Sequence, residues 1–298
     1  MFVRYCDGGS YSGNADVSNG QIFNGNVYTG RSLFFRGQRN RDGIVSDLLS
    51  KHGMSTAVEV LVSGCSAGGL GVMLGVDKIK ADIYRMNKNT TVRGLVDSGV
   101  FVDYSHGGKD FEGSNARYNE ALSLDGALDY SAGMRRVFNM MNISSGTDID
   151  CLEAYKNDTA KCVFAENIGH HIDTPLFFLQ SRYDTWQIAH ILGTSHTKAV
   201  NMFGDKVTDI VKSIVSSNRS VRGMHHGGFV NSCEHHCTIS VIPGSTSVSW
   251  PWHSVFSQWM EPDGVGISSS PMSSFEIQNK SYPCQDCCSE LGLVHVIG

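Results

Sequence analysis

Two kinds of apolar pattern alternate along the chain. Ala57-Val-Glu-Val-Leu-Val62 is a near-continuous apolar run of strand length, and Val92 to Asp97 and Pro175-Leu-Phe-Phe-Leu179 are two more. Runs of this length read as buried strands. Other apolar residues recur every three or four positions, as one face of a helix does. Ile44, Leu48 and Leu49 form one such set, with Gly53 as its stop; Val72, Val76, Ile79 and Ile83 form a second; Val207, Ile210, Val211 and Ile214 form a third. Trp250 to Met260 reads as a late helix. Strands alternating with amphipathic helices predict an α/β fold, a mostly parallel sheet with helices on both faces. The first forty residues are loop-like and rich in Gly, Ser and Asn, with one apolar run at Ser32-Leu-Phe-Phe35. The stretches between 100 and 170 and after 260 read as irregular decoration. No repeat or charge run divides the chain, so residues 1–298 are expected to form a single domain.

Composition narrows the class. Charged residues make up 18 % and hydrophobic residues 41 % of the 298, which excludes a disordered chain. The net charge of 24 − 29 = −5 provides no electrostatic footprint for nucleic acid or an anionic membrane. No apolar run approaches the roughly 20 residues of a membrane-spanning helix. Nine cysteines (Cys6, Cys65, Cys151, Cys162, Cys233, Cys237, Cys284, Cys287 and Cys288) fit disulfides in an oxidising compartment, the odd number leaving at least one unpaired within the chain. Five Asn-x-Ser/Thr sequons, at Asn89, Asn142, Asn157, Asn218 and Asn279, add weak support for secretion. The opening Met1-Phe-Val-Arg-Tyr-Cys6 has neither the basic nor the apolar region of a signal peptide. Two readings follow: a cytosolic protein, or an incomplete N-terminus.

Gly64-Cys65-Ser66-Ala67-Gly68 carries the candidate chemistry. A Gly-x-Ser-x-Gly sequence entered by a strand and left by a helix is the setting of a nucleophile elbow, a sharp turn flanked by small residues that lifts the serine above the sheet. A serine is a weak nucleophile unless a base takes its proton and a carboxylate orients that base. In this architecture the acid and then the histidine follow the serine. Asp184 comes just after the strand that begins at Pro175 and is the expected acid. Asp97 also ends a strand and is the alternative, otherwise a loop-capping residue. His235 and His236 lie between Cys233 and Cys237, after the acid, in a segment from Gly227-Gly228 that reads as a loop; His225, His226 and His253 are nearby alternatives.

Several segments together resemble the plant pectin acetylesterases, a family that also includes the animal Wnt-deacylating enzyme Notum. They are Tyr5-Cys-Asp-Gly-Gly-Ser-Tyr-Ser-Gly13, Leu33-Phe-Phe-Arg-Gly-Gln-Arg39, Gly64-Cys-Ser-Ala-Gly-Gly-Leu70, Asp97-Ser-Gly-Val-Phe-Val-Asp103, Tyr183-Asp-Thr-Trp-Gln-Ile188 and Cys233-x-x-His236-Cys237. The resemblance implies an α/β-hydrolase fold and a secreted, cell-wall serine carboxylesterase that deacetylates pectin as a monomer, without cofactor. It assigns Ser66 as nucleophile, Asp184 as acid, His236 rather than His235 as base, and the Ala67 backbone N–H as an oxyanion donor. The family's upstream Gly-Gly-Gly-Trp-Cys segment, with further oxyanion donors, does not occur here, so the chain is expected to lack its N-terminal strands and to be weakly active as it stands. Losing one oxyanion donor costs about 10²- to 10³-fold in rate.

Three rival readings remain. One keeps the fold and removes a fatty acyl group from a protein. The second is an inactive carbohydrate-binding protein. The third is a zinc module built from Cys233, His235, His236, Cys237, Cys284, Cys287 and Cys288, whose spacing allows tetrahedral ligation.

Overall fold

The computed structural model describes residues 1–5, 7–18, 22–23, 26–27, 29–104, 130–217, 224–239, 251–261, 274–284 and 286–288. Two small antiparallel pairs come first: β1 (Ala15–Val17) with β4 (Leu33–Phe35), and β2 (Ile22–Phe23) with β3 (Asn26–Val27). Helix α1 (Gly37–Lys51) follows. Then comes a sheet of five described strands, β5 (Glu59–Cys65), β6 (Thr91–Asp97), β7 (Leu176–Ser181), β8 (Gly227–Asn231) and β9 (Phe275–Ile277), side by side in chain order and all parallel. The α-helices around it are α2 (Ala67–Met86), α3 (Tyr130–Met140), α4 (Ile149–Ala154), α5 (Ala165–Ile168), α6 (Thr185–Gln187), α7 (Thr197–Val215) and α8 (Pro251–Met260).

The middle strand shows why both faces need covering. Side chains alternate across a strand. Leu176 and Phe178 enter the core that holds the apolar stripes of α2 and α7, while Phe177 and Leu179 meet Trp252, Val255 and Trp259 of α8 on the other side. All four are fully buried. Burying each such side chain is worth about 1.5–3 kcal/mol.

Three sequence expectations change. Strand β5 runs Glu59–Cys65; its Leu61, and Val58 just before it, stay exposed rather than buried, and β5 has a partner strand on one side only among the described residues. Residues 130–168 are not mere decoration: Phe138, Ile143, Val163, Phe164 and Ile168 belong to the main core, spread over short helical segments and the turns between them. The pair Gly227-Gly228 opens a buried strand rather than a loop. A Cβ on Gly228 would meet the Phe178 carbonyl oxygen at 2.9 Å, and one on Gly227 would meet Trp259 of α8 at 2.7 Å, so the glycines permit close packing. The late helix is Pro251–Met260; Trp250 lies outside the described residues.

Register levels the carboxyl ends of the strands. Cys65 pairs with Asp97, Asp97 with Leu179, and Ser181 with Asn231. The segments that leave these ends meet above one edge of the sheet, where α/β folds place their sites.

Candidate active site

Strand β5 delivers Ser66 through a strained turn. Ser66 has φ 58° and ψ −125°, a conformation that L-residues rarely adopt. Its N–H donates to the Asp97 carbonyl at 2.8 Å, and its own carbonyl accepts the Leu70 N–H at 3.0 Å. Gly64 permits the turn, since a Cβ there would run into the Gly68 backbone. Gly68 itself is not sterically demanded: a Cβ on it meets no described atom within 4 Å. The second tight position is Gly69, where a Cβ would lie 2.9 Å from the Asp97 carbonyl oxygen. Ala67 is the first residue of α2, so its N–H has no intrahelical acceptor and sits at the positive end of a 20-residue helix.

Asp184 follows β7 and caps α6, its Oδ1 accepting the Gln187 N–H at 3.0 Å. His236 Nδ1 lies 2.8 Å from Asp184 Oδ2 and 3.0 Å from Oδ1. A carboxylate accepts, so Nδ1 carries the proton and Nε2 the lone pair. A disulfide joins Cys65, the residue before Ser66, to Cys237, the residue after His236. A ring nitrogen of His236 and these two sulfurs lie within 4.8 Å of one another. The Ser66 hydroxyl makes no hydrogen bond to His236 here; such contacts are often long in free enzymes and tighten with substrate.

The chain as a whole resembles known proteins. The pectinacetylesterase family model matches residues 1–289. The chain belongs to the pectinacetylesterase family. Pectin acetylesterase 5 of Arabidopsis thaliana is 27 % identical over 96 % of this chain and 62 % of its own length. Palmitoleoyl-protein carboxylesterase notum2 of Xenopus laevis is 26 % identical over 63 % of this chain and 34 % of its own. The solved structure of the Wnt deacylase Notum from Drosophila superimposes with a TM-score of 0.55 at 23 % identity, covering 79 % of this chain and 59 % of that one, and shares its α/β-hydrolase fold. The chain spans about three fifths of the length of the Arabidopsis relatives it matches.

In this pectinacetylesterase-family chain the alternative histidines make other contacts, His225 through its backbone. His235 Nδ1 lies 3.1 Å from the Cys233 carbonyl, which only accepts, so Nδ1–H donates. Its Nε2 then accepts the Thr238 hydroxyl at 2.7 Å. Burial holds its pKa below the usual 6.5, which keeps the ring neutral. His226 Nδ1 accepts the Leu176 N–H at 3.0 Å. The His225 carbonyl accepts the Trp259 indole N–H at 2.9 Å, and His253 lies against Trp252 at 4.1 Å between ring centroids.

No hydrogen bond joins Asp97 to the His236 ring. Its buried carboxylate accepts the N–H groups of Thr238 at 3.0 Å and Ile239 at 2.8 Å and the Ser98 hydroxyl at 3.2 Å. Burial raises its pKa, against the pull of those hydrogen bonds.

The rival zinc reading loses its ligands. Cys233 is bonded to Cys288, Cys284 to Cys287 and Cys65 to Cys237, so the thiolates that zinc would need are consumed. Cys151 pairs with Cys162, and Cys6 lies outside the described residues.

One neighbour went unremarked in the sequence. Trp186 stacks on His236 with centroids 6.2 Å apart and planes 28° apart, covers His190 at 4.7 Å, and has Phe101 and Tyr130 at 5.4 and 6.1 Å. Its place two residues after Asp184 was the available signal.

Proposed function

We propose that the chain is a serine carboxylesterase that removes acetyl groups from pectin, with Ser66 as nucleophile, His236 as general base and Asp184 as its orienting acid. The observation that carries this reading is the Asp184–His236 hydrogen bond, in a loop joined by a disulfide to the turn that holds Ser66. Family membership and the name of the Arabidopsis relative support the acetyl ester as substrate.

The chemistry follows from the proton inventory. Ser66 Oγ attacks the acetyl carbonyl carbon while His236 Nε2 takes the hydroxyl proton. Asp184 holds Nδ1–H in place and stabilises the imidazolium. The carbonyl oxygen becomes an oxyanion at the Ala67 N–H, helped by the dipole of α2. His236 returns the proton to the sugar oxygen as the C–O bond breaks, leaving acetyl-Ser66. Water, deprotonated by the same Nε2, then attacks. Acetate departs and Ser66 regains its proton. None of these steps calls on a metal or an organic cofactor.

Four disulfides support an oxidising, extracellular setting, and Asn89, Asn142 and Asn157 are exposed sequon residues able to carry glycans there. Asn279 accepts a hydrogen bond from Arg182, and Asn218 lies outside the described residues. No helix among the described residues is long and apolar enough to cross a membrane.

Release of acetate from acetylated pectin tests the substrate, and p-nitrophenyl acetate against p-nitrophenyl palmitate tests acyl length. The reading expects acetate release and a preference for the acetyl ester. Turnover of the palmitate ester alone would favour the fatty-acyl reading that the Notum relatives suggest. Pectin binding without turnover of either ester would leave a carbohydrate-binding protein.

A further inference from the structure

We propose that Asp97 is a positioning residue that couples the nucleophile turn to the histidine loop; this rests on the triad reading above. Its two ends hold opposite sides of the site. The backbone carbonyl accepts the Ser66 N–H at 2.8 Å. The carboxylate accepts the N–H groups of Thr238 and Ile239, two and three residues after His236. Ser98 extends the grip: its hydroxyl donates to Asp97 and accepts the Cys237 N–H at 2.9 Å. Three consecutive loop N–H groups, those of residues 237 to 239, therefore end on the Asp97-Ser98 pair.

Strain points to the same place. Ser66, Ser98 and Cys237 all have positive φ, at 58°, 50° and 68°. Such conformations persist only where the surroundings over-determine them. Here the surroundings are one another: Ser66 bonds to the residue before Ser98, and Cys237 bonds to Ser98. Asp97 is fully buried at the end of β6, and its pairing with Cys65 across the sheet fixes it directly beside the turn. A buried carboxylate with two backbone N–H donors forms charge-assisted hydrogen bonds, which are short and directional. Loosening it lets His236 drift from Ser66 without removing any group that reacts.

The test compares Asp97→Asn, Ser98→Ala and Asp97→Ala with wild type, alongside Ser66→Ala and His236→Ala. Kinetics with p-nitrophenyl acetate, the rate of covalent labelling by a fluorophosphonate, and thermal unfolding are measured on each. Asp97→Asn keeps the shape but replaces an acceptor by a donor facing a backbone N–H. It should lower kcat and the labelling rate together by about 10- to 100-fold, the scale of a displacement near 1 Å, with KM unchanged within about twofold. Ser98→Ala should lower both by about threefold to tenfold. If Asp97→Ala does not fold, these two variants still decide. Unchanged kcat and labelling in Asp97→Asn, whatever its unfolding temperature, would make Asp97 a structural residue and overturn the proposal. So would a raised KM at constant kcat. Full turnover in Ser66→Ala or His236→Ala would instead overturn the triad reading, an outcome distinct from failure of the Asp97 proposal alone.

Discussion

Neighbouring strands β6 and β7 each bring a buried aspartate to the same loop. Asp97 ends β6 and Asp184 follows β7, with 0 % and 1 % of their surfaces exposed. Their partners differ. Asp97 takes fixed backbone N–H groups, which have no proton to exchange in a reaction cycle. Asp184 takes the Nδ1–H of a titratable ring whose far nitrogen can accept a proton. Burial at the carboxyl edge of a sheet therefore does not make an aspartate a catalytic acid. In the proposed triad the identity of the donor decides, because only the second arrangement sets a carboxylate where it can orient an imidazole.

Replacing the charge at each end should separate the two by orders of magnitude. Asp184→Asn should lower kcat by about 10⁴-fold, because the amide disfavours the Nδ1–H tautomer of His236. Asp97→Asn should lose no more than about 100-fold. Equal losses measured with p-nitrophenyl acetate would erase the distinction.

The β6 end can also be disturbed alone. Gly69→Ala pushes a methyl group toward the Asp97 carbonyl and should cost about 1–3 kcal/mol in urea unfolding, as overpacking does. Gly68→Ala adds a methyl group where no described atom lies within 4 Å, and alanine favours the helix by about 1 kcal/mol over glycine, so it should be neutral or stabilising. A reversed order would contradict the contacts assigned to the turn.

The smallest effect is in the pH dependence of stability. Burial raises the folded pKa of Asp97 above 3.8, so its stabilising contribution is full below 3.8 and is lost as pH rises through the folded value. Burial lowers that of His235 below 6.5, so its contribution is full above 6.5 and is lost as pH falls through the folded value. The two contributions change with pH in opposite directions and partly offset. Relative to wild type, Asp97→Asn should gain stability as pH rises from 3.8, and His235→Asn should gain as pH falls from 6.5. Urea midpoints across this range check both signs.

Sequence and structure agree where the signal is local and continuous. The strands at β5, β6 and β7 and the helices α2 and α7 show in long apolar patterns, and the Gly-x-Ser-x-Gly turn shows in its own spacing. The Cys-x-x-His-Cys spacing of the resemblance selects His236, and the structure puts that histidine on Asp184. What stayed hidden depends on long-range packing. Strand β8 begins with two glycines because Phe178 and Trp259 crowd it, and glycine carries no apolar signal. Strand β9 has three residues, too few for a period. Trp186 and the loop-holding contacts of Asp97 join residues about 50 to 140 positions apart, which no local pattern reports.

The most direct test of the account is kcat for His236→Ala and His235→Ala, measured side by side on p-nitrophenyl acetate. Of the two, His236 has its Nδ1–H held by Asp184, which leaves Nε2 as the acceptor the proposal needs, whereas both nitrogens of His235 are bonded within its own loop. The account predicts a loss of about 10⁴-fold or more for His236→Ala, close to that of Ser66→Ala, because triad members act as a unit. It predicts less than about tenfold for His235→Ala, which disturbs the loop without removing the base. A near-complete loss in His235→Ala with substantial turnover in His236→Ala would contradict it.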